Sequence, residues 1–416
     1  MTHAALATLA IVVATISGVL LRPFRLPEYV SAIAGAAALL AFGLLPLPLA
    51  WDAAAKGHDV YLFLIGMMLL AEVARQEGLF DWIAGHAAHA AAGSARRLFA
   101  LVYGVGILVT VFLSNDATAV VLTPAVYAVA RRAGVAPLPY LFVCAFIANA
   151  ASFVLPISNP ANLVVYGERL PALAPWIRTF ALPSLAAIAT TYAILRWTQR
   201  AELRKPLAPA PDVEPLSPAG YAAGVTLAIA AIVLVGASAL GRDLGRPTLA
   251  CGFLALFAAS VIAARSPLPA LKHVAWGVLP LVAGLFVLVA GLEHVGGIRL
   301  IADLLSGRDG AAAGQTALLA GLAAGVGTNI VNNLPLGLLA GAAGHAAQAP
   351  QKVMAGLLIG VDLGPNLSVT GSLATLLWLL AIRREGEHVG ALRFLGLGAL
   401  VMPPALLLAL AALVLV

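Results

Sequence analysis

Charge is what this 416-residue sequence has least of. Only 10% of its residues are charged, where soluble domains carry about 25%. Meanwhile 62% are hydrophobic and the mean hydropathy is +1.00. That balance excludes a soluble globular enzyme. The net charge of +6 does not indicate a nucleic-acid surface, because the basic residues are dispersed between apolar runs. Cysteine is scarce too. Cys144 and Cys251 both sit in apolar runs, which excludes a disulfide framework and a CxxC site. No phosphate-binding G-x-x-x-x-G-K-[ST] loop is present, so ATP hydrolysis by that route is excluded. The runs lack the period-two alternation of barrel strands. No basic residue precedes the first apolar stretch, whereas Arg22 and Arg25 follow it. That order predicts a first span starting outside, not a cleavable leader.

What is present is a series of runs near the ~20 residues that cross a hydrocarbon core, such as Ala4–Leu21, Tyr29–Ala50, Tyr61–Ala74 and Ala222–Leu240. The sequence predicts an all-α polytopic membrane protein. Spans are expected near 4–21, 28–50, 59–75, 138–170 (interrupted), 176–198, 219–240, 247–264, 272–292, 350–382 (interrupted) and 391–416. Stretches 97–131 and 313–344 fit differently. Each reads as two half-length helices around a polar tip, either a re-entrant hairpin or a kinked crossing. Charge decides between these. Arg96 and Arg97 precede the first stretch, and Arg131 and Arg132 follow it, so a crossing would put one pair outside. With two hairpins, about ten spans and both termini outside, sixteen of the 24 Lys and Arg residues fall on the cytoplasmic side and eight on the other. The positive-inside rule expects that asymmetry.

The segment QRAELRKPLAPAPDVEPLSP (199–218) reads as a cytoplasmic linker between a first repeat, 1–198, and a second, 219–416. GMMLLAEVARQEGLFDWIA (66–84) aligns with GLFVLVAGLEHVGGIRLIA (284–302) at an offset of 218, and LSND (113–116) with VNN (331–333) at 217. ISNPAN (157–162) corresponds loosely to LGPN (363–366) at about 207. Five spans per half is an odd number, so the second half is expected to be inverted. Inverted repeats with broken helices meeting at midplane are the plan of secondary transporters.

Four polar tips are expected to converge: Ser114, Asn115 and Asp116; Asn159 and Asn162 beside the breakers Pro156 and Pro160; Thr328, Asn329, Asn332 and Asn333; and Asp362, Asn366, Ser368 and Thr370 beside Gly364 and Pro365. Asn, Ser and Thr cap severed half-helices, and they also offer donors and acceptors to a solute. A carboxylate at this depth costs roughly 2.5–3.5 kcal/mol on insertion scales, so Asp116 and Asp362 are expected to bind protons or cations. Asp116 also stands where it would N-cap the following run. No Lys or Arg lies in any tip, which disfavours an anionic substrate. His86 and His89 form an HxxH without a third ligand, and no metal site is expected there. Cys144 reads as inert packing.

LSNDATAVVLTP (113–124), ISNPANLV (157–164), IVNNLP (330–335) and above all VDLGPNLSVTGSLATLLWL (361–379) resemble the ArsB-type arsenite/antimonite exporters of the ion transporter superfamily, in order and spacing across essentially the whole chain. The resemblance implies expulsion of arsenite or antimonite from the bacterial cytoplasm across the inner membrane in exchange for protons. It implies Asn115, Asp116, Asn332, Asn333, Asp362 and the GPN–SLATLLW stretch along the path. Some such exporters pair with a soluble arsenite-stimulated ATPase subunit, a partner that the resemblance leaves open for this chain. No cofactor and no nucleic acid are implied. Some relatives carry GPK where this chain has Pro365–Asn366, so a basic group beside the second aspartate is missing here. LSND-type tips also look like those of sodium/proton antiporters and of dicarboxylate or citrate carriers, which stand as alternatives.

Overall fold

The computed structural model describes residues 3–208, 213–306 and 311–416, so residues 209–212 of the expected linker lie outside the described residues. The described residues are helical, with no strand beyond an isolated bridge between Ser94 and Pro206. The order begins α1 (His3–Leu21), α2 (Glu28–Ala41), α3 (Leu47–Lys56), α4 (His58–Gln76), α5 (Leu79–Ala90) and α6 (Ala95–Phe112). After α7 (Asn115–Ala117) and a π-helical turn, Thr118–Leu122, come α8 (Thr123–Arg132), α9 (Leu138–Ala150), α10 (Pro160–Tyr166) and α11 (Leu173–Thr198). Beyond the linker lie α12 (Pro218–Ala239), α13 (Gly245–Ile262), α14 (Leu268–His273), α15 (Val278–His294) and α16 (Arg299–Leu305). The chain ends with α17 (Ala311–Val331), α18 (Asn333–Ala346), α19 (Gln351–Leu363), α20 (Leu373–Arg384) and α21 (Ala391–Leu415).

Among the described residues six helices are long and apolar enough to cross a membrane, seven if α3 and α4, bent by 44°, count as one span. The sequence reading expects ten. The shortfall lies where the chain is broken or short. The pieces of the interrupted spans have 13, 7, 13 and 12 residues, and α2 and α15 have 14 and 17. The expected span 28–50 is a clear correction: the helix stops at Ala41, the chain turns through Gly43 at φ 65°, and a new helix starts behind Pro46. A positive φ suits glycine, which has no Cβ to clash. The hairpin arms are also unequal rather than half-length. Helices α6 and α17 have 18 and 21 residues, about 27 and 31 Å at 1.5 Å per residue.

Backbone bonds fix where the first hairpin begins and ends. Leu207 N–H donates to Gly93 O at 3.3 Å and Ala208 N–H donates to Ala133 O at 2.9 Å. Adjacent linker residues therefore touch Gly93, two residues before α6, and Ala133, the residue after α8. Both ends of 95–132 lie on one face, the re-entrant geometry. The end of α4 shares that face, since a Cβ on Gly220, just past the linker, would meet Glu77 O. His273, the last residue of α14, brings the start of α15 there too, its Nδ1 3.8 Å from Glu72. Helix α15 leaves this face, so α16 and the start of α17 lie on the opposite one. Helices α17 and α19 run parallel, with Gly356 against Ala317, Gly360 against Gly321 and Gly364 against Gly325. The start of α19, and the end of α18 just before it, therefore share the face where α17 begins. The two hairpins enter from opposite faces.

Elements recur at near-constant offset. Gly66 of α4 sits against the backbone of Thr248 in α13, and Gly284 of α15, 218 residues on, sits against Ala32 in α2. Each half thus supplies one helix to the other's pair. The loose pairing of ISNPAN with LGPN is corrected here. Helices α9 and α19 have 13 residues each, starting at 138 and 351, and the chain restarts as helix at 160 and 373. The offset there is 213, which pairs Asn149 with Asp362, and Asn159 with Ser372. Both of the latter are N-caps, Asn159 Oδ1 accepting from Ala161 N–H at 3.0 Å and Ser372 Oγ from Thr375 N–H at 3.1 Å. Apolar residues surround α9 and α19 on all sides, and a helix apolar all round is buried. These two broken spans form the centre of the molecule.

Candidate functional site

At the first tip Ser114 is the N-cap of the restarted helix, its Oγ accepting from Ala117 N–H at 3.2 Å. Asn115 Oδ1 accepts from Asp116 N–H at 2.9 Å. Thr118 Oγ1 stands 2.8 Å from Thr110 Oγ1, which ties the restart to α6. Pro124 lacks the N–H that would close the next α-helical turn, and the π-helical turn precedes it. π-Turns of this kind gather at functional sites. The Asp116 carboxylate makes no hydrogen bond or ion pair among the described residues, and it caps nothing. That leaves it the free carboxylate of the pair.

The first broken span is held open by amides. Asn162 Nδ2 faces three carbonyl oxygens of the break, Ser152 at 2.9 Å, Leu155 at 3.1 Å and Pro156 at 3.2 Å. Pro160 opens α10, where a missing N–H costs nothing. Ser158 Oγ donates to Val111 O at 3.0 Å and so ties this break to the end of α6, beside the first tip.

The second tip and second break are stitched together. Asn329 Nδ2 donates to Gly364 O at 3.0 Å and its Oδ1 accepts from Ser368 Oγ at 2.7 Å. Thr370 Oγ1 donates to Asn329 O at 3.1 Å, Asn332 Nδ2 to Thr370 O at 3.2 Å, and Asn333 N–H to Gly371 O at 2.9 Å. Thr328 Oγ1 bonds its own helix, at Gly325 O, 3.0 Å away. Asn332 holds φ 77°, an unusual value for a residue with a side chain, and it is where the hairpin reverses. Gly364, Pro365 and Asn366 form one 3-10 turn between α19 and the loop to α20.

The two breaks meet at Asp362. Its Oδ2 lies 2.7 Å from Ser152 Oγ, and its Oδ1 accepts from Asn159 Nδ2 at 2.9 Å. One turn on, Asn366 Nδ2 donates to Phe146 O at 3.0 Å and its Oδ1 accepts from Asn149 Nδ2 at 3.0 Å. Asn149 and Ser152 are the residues that the sequence reading missed. The signal was there: IANAAS (147–152) places two polar residues at the end of an apolar helix just before the break. Three of the four polar clusters thus join in one network. The first tip adjoins it through Ser158, with no side-chain bond between Asp116 and Asp362.

No ion pair among the described residues involves either aspartate; the pairs are Arg22–Glu28, Glu72 with Arg75 and His273, and Lys205–Glu202. What the core leaves open is oxygen. The side-chain Oδ1 atoms of Asn149, Asn162 and Asn333 are buried without a donor. Each such group costs about 1–3 kcal/mol unless something donates to it. No group of three His, Cys, Asp or Glu side chains placed to hold a metal ion occurs among the described residues. His86 Nδ1 lies 2.9 Å from Trp82 O, and Cys144 Sγ 3.7 Å from Tyr140 O in its own helix.

A model of the citrate transporter family (CitMHS) matches residues 10–382, which takes in both hairpins and both broken spans. The chain belongs to that family. Among its relatives, the arsenical pump membrane protein of Escherichia coli is 26% identical over 424 residues, covering 98% of this chain and 97% of that one. The protein of the same name in Yersinia enterocolitica is 27% identical, covering 89% and 88%. An uncharacterized transporter of Mycobacterium tuberculosis is 26% identical, covering 84% of each chain. The likeness to arsenical pumps carried by the motifs therefore extends over nearly the full length. Among solved structures, the YdaH transporter of Alcanivorax borkumensis, described as having an unusual topology, matches with a TM-score of 0.54 at 17% identity over 88% of this chain and 86% of that one. Family, fold and apolar helices together make this a multi-pass membrane transporter.

Proposed function

We propose that this transporter expels trivalent metalloid, arsenite or antimonite, from the bacterial cytoplasm across the inner membrane in exchange for protons. The observation that carries this reading is the sign of the unmet hydrogen bonding. Around the tips and breaks the buried side-chain atoms without a partner are the amide oxygens of Asn149, Asn162 and Asn333 and the Tyr166 hydroxyl, beside the free Asp116 carboxylate, and no Lys or Arg lies in any of the four tips. Arsenous acid is neutral at pH 7 and brings three hydroxyl donors. A citrate ion brings carboxylates, which only accept, into a core with no Lys or Arg in its four tips to meet them. Relatives named arsenical pump membrane protein support the same cargo. Membership of the citrate transporter family favours citrate as the second reading, and a sodium/proton antiporter is the third. Labelled citrate uptake and sodium-driven dye quenching identify those two.

The transport unit in this proposal comprises both hairpins and both broken spans. Residues 1–198 and 219–416 act as inverted repeats joined by 199–218. Protons arriving from outside neutralise Asp116 or Asp362, and metalloid leaves from the amide-lined centre. Cargo is held by hydroxyls and amides, so thiolates play no part. Expression in an efflux-deficient bacterium should restore growth on arsenite. The Cys144→Ser, Cys251→Ser double variant should restore it within about twofold of the parent, because a buried structural thiol is inert and a serine at 144 can keep the bond to Tyr140 O. Loss of growth by the double variant at equal expression would point to sulfur ligation instead.

A further inference from the structure

Asp362 is 1% exposed, and its two bonds do not have equal freedom of direction. Asn159 Oδ1 accepts from Ala161 N–H at 3.0 Å, so the other end of that amide, Nδ2, must face Asp362 Oδ1 as donor at 2.9 Å. Ser152 Oγ is different. It stands 2.7 Å from Asp362 Oδ2 and also 2.7 Å from the backbone oxygen of Asn149. A hydroxyl carries one proton, and a backbone carbonyl has none to give. If Ser152 donates to Asn149 O, the contact with Asp362 needs a second proton, and only the carboxyl can supply it. If Asp362 were ionised, one of the two 2.7 Å contacts would set two oxygen lone pairs against each other. Such a contact in the core, beside a charge with no basic partner, is costly.

We propose that this conformation holds Asp362 as a neutral acid, its proton on Oδ2, with Ser152 as the acceptor and Asn159 fixing the other oxygen. This deepens the proton-exchange reading and rests on it for its meaning in transport. Loss of the proton to water leaves a carboxylate that cannot donate. The Ser152 hydroxyl then turns from Asn149 O to Asp362 Oδ2, and the end of α9 loses a bond. Proton occupancy is thereby tied to the junction of the two broken spans, with Ser152 a positioning residue that reverses its donor direction. The ionisable groups on the helices packed against α19 are Tyr140 and Cys144 on α9, Tyr166 on α10, His345 on α18, Arg393 on α21, and Arg178, Tyr192 and Arg196 on α11. None bonds to Asp362, whose side-chain partners are Ser152 and Asn159.

Infrared spectra of the full chain in lipid vesicles at neutral pH, with no arsenite present, test this. The carbonyl stretch of a protonated carboxylic acid should appear, move in D2O, and move again when Asp is labelled with carbon-13 at the side-chain carbonyl. It should vanish in Asp362→Asn, survive in Asp116→Asn, and rise in wavenumber in Ser152→Ala, where the acid has lost its acceptor. Ser152→Thr should return it to the parental position. The labelled parent keeps the test valid should Asp362→Asn not fold. Absence of the band in the parent, its survival in folded Asp362→Asn, or an unmoved band in Ser152→Ala would each overturn the assignment. The band reports a proton whatever the cargo is, so a chain that carries no arsenite yet shows it would fail only the transport reading.

Discussion

Asp116→Asn should reduce proton-driven arsenite uptake into everted vesicles to below about a tenth of the parental rate, while leaving membrane insertion and yield unchanged. The carboxylate makes no bond among the described residues, so an amide of the same shape removes no contact that holds the fold. The neighbours keep their own roles, with Ser114 capping the restarted helix and Asn115 closing on Asp116 N–H through a backbone donor that the variant retains. What disappears is the ability to take up and release a proton at the first tip. A tenfold loss corresponds to about 1.4 kcal/mol. Undiminished uptake would remove Asp116 from the proton path and leave Asp362 as the only deep carboxylate able to serve.

Gly364→Val should have the largest effect on the folded protein. A Cβ at Gly364 would meet Gly325 O and Thr328 Oγ1, and the first of these is backbone that cannot swing aside. The position closes a row, Gly356, Gly360 and Gly364, along which α19 lies directly on the α17 backbone. In lipid, close approach of this kind drives helix association, since no water is released between helices. Overpacking costs typically 1–3 kcal/mol and more where the backbone must move. Prying α19 from α17 would also pull Gly364 O from Asn329 Nδ2 and shift Asp362 against Ser152. The expected result is loss of the monodisperse peak when detergent-extracted variant is run on a sizing column. A variant that elutes like the parent would show that the row is not needed for packing. Gly104→Val, where an added Cβ meets nothing within 4 Å, serves as the control.

Much of this arrangement was legible in the residues. Paired arginines at both ends of 97–131 pointed to a re-entrant hairpin, and backbone bonds from Leu207 and Ala208 place both ends on one face. The polar tips were legible because Asn, Asp, Ser and Pro stand out sharply in an apolar chain. Register was not. The pairing of ISNPAN with LGPN followed residue identity, whereas helix lengths pair Asn159 with Ser372, two caps of different chemistry doing one job. Partners across the repeat were hidden as well. Nothing local marks Ser152 as the neighbour of a residue 210 positions away. Asn159 read as a residue for cargo, yet one end of its amide caps α10 and the other holds Asp362. Span 28–50 failed for a plainer reason. Hydropathy continues through Phe42–Leu49, while Gly43 and Pro46 end the helix by backbone geometry alone.

The most direct test of the account uses the purified chain in proteoliposomes, without ATP and without any partner, under an imposed proton gradient. With the interior acidic and the vesicles holding the exporter in its everted orientation, arsenite should accumulate inside, the accumulation should collapse with a protonophore, and labelled citrate should stay out. Citrate accumulation with no movement of arsenite would contradict the proposed cargo. Arsenite movement indifferent to the protonophore would contradict exchange for protons.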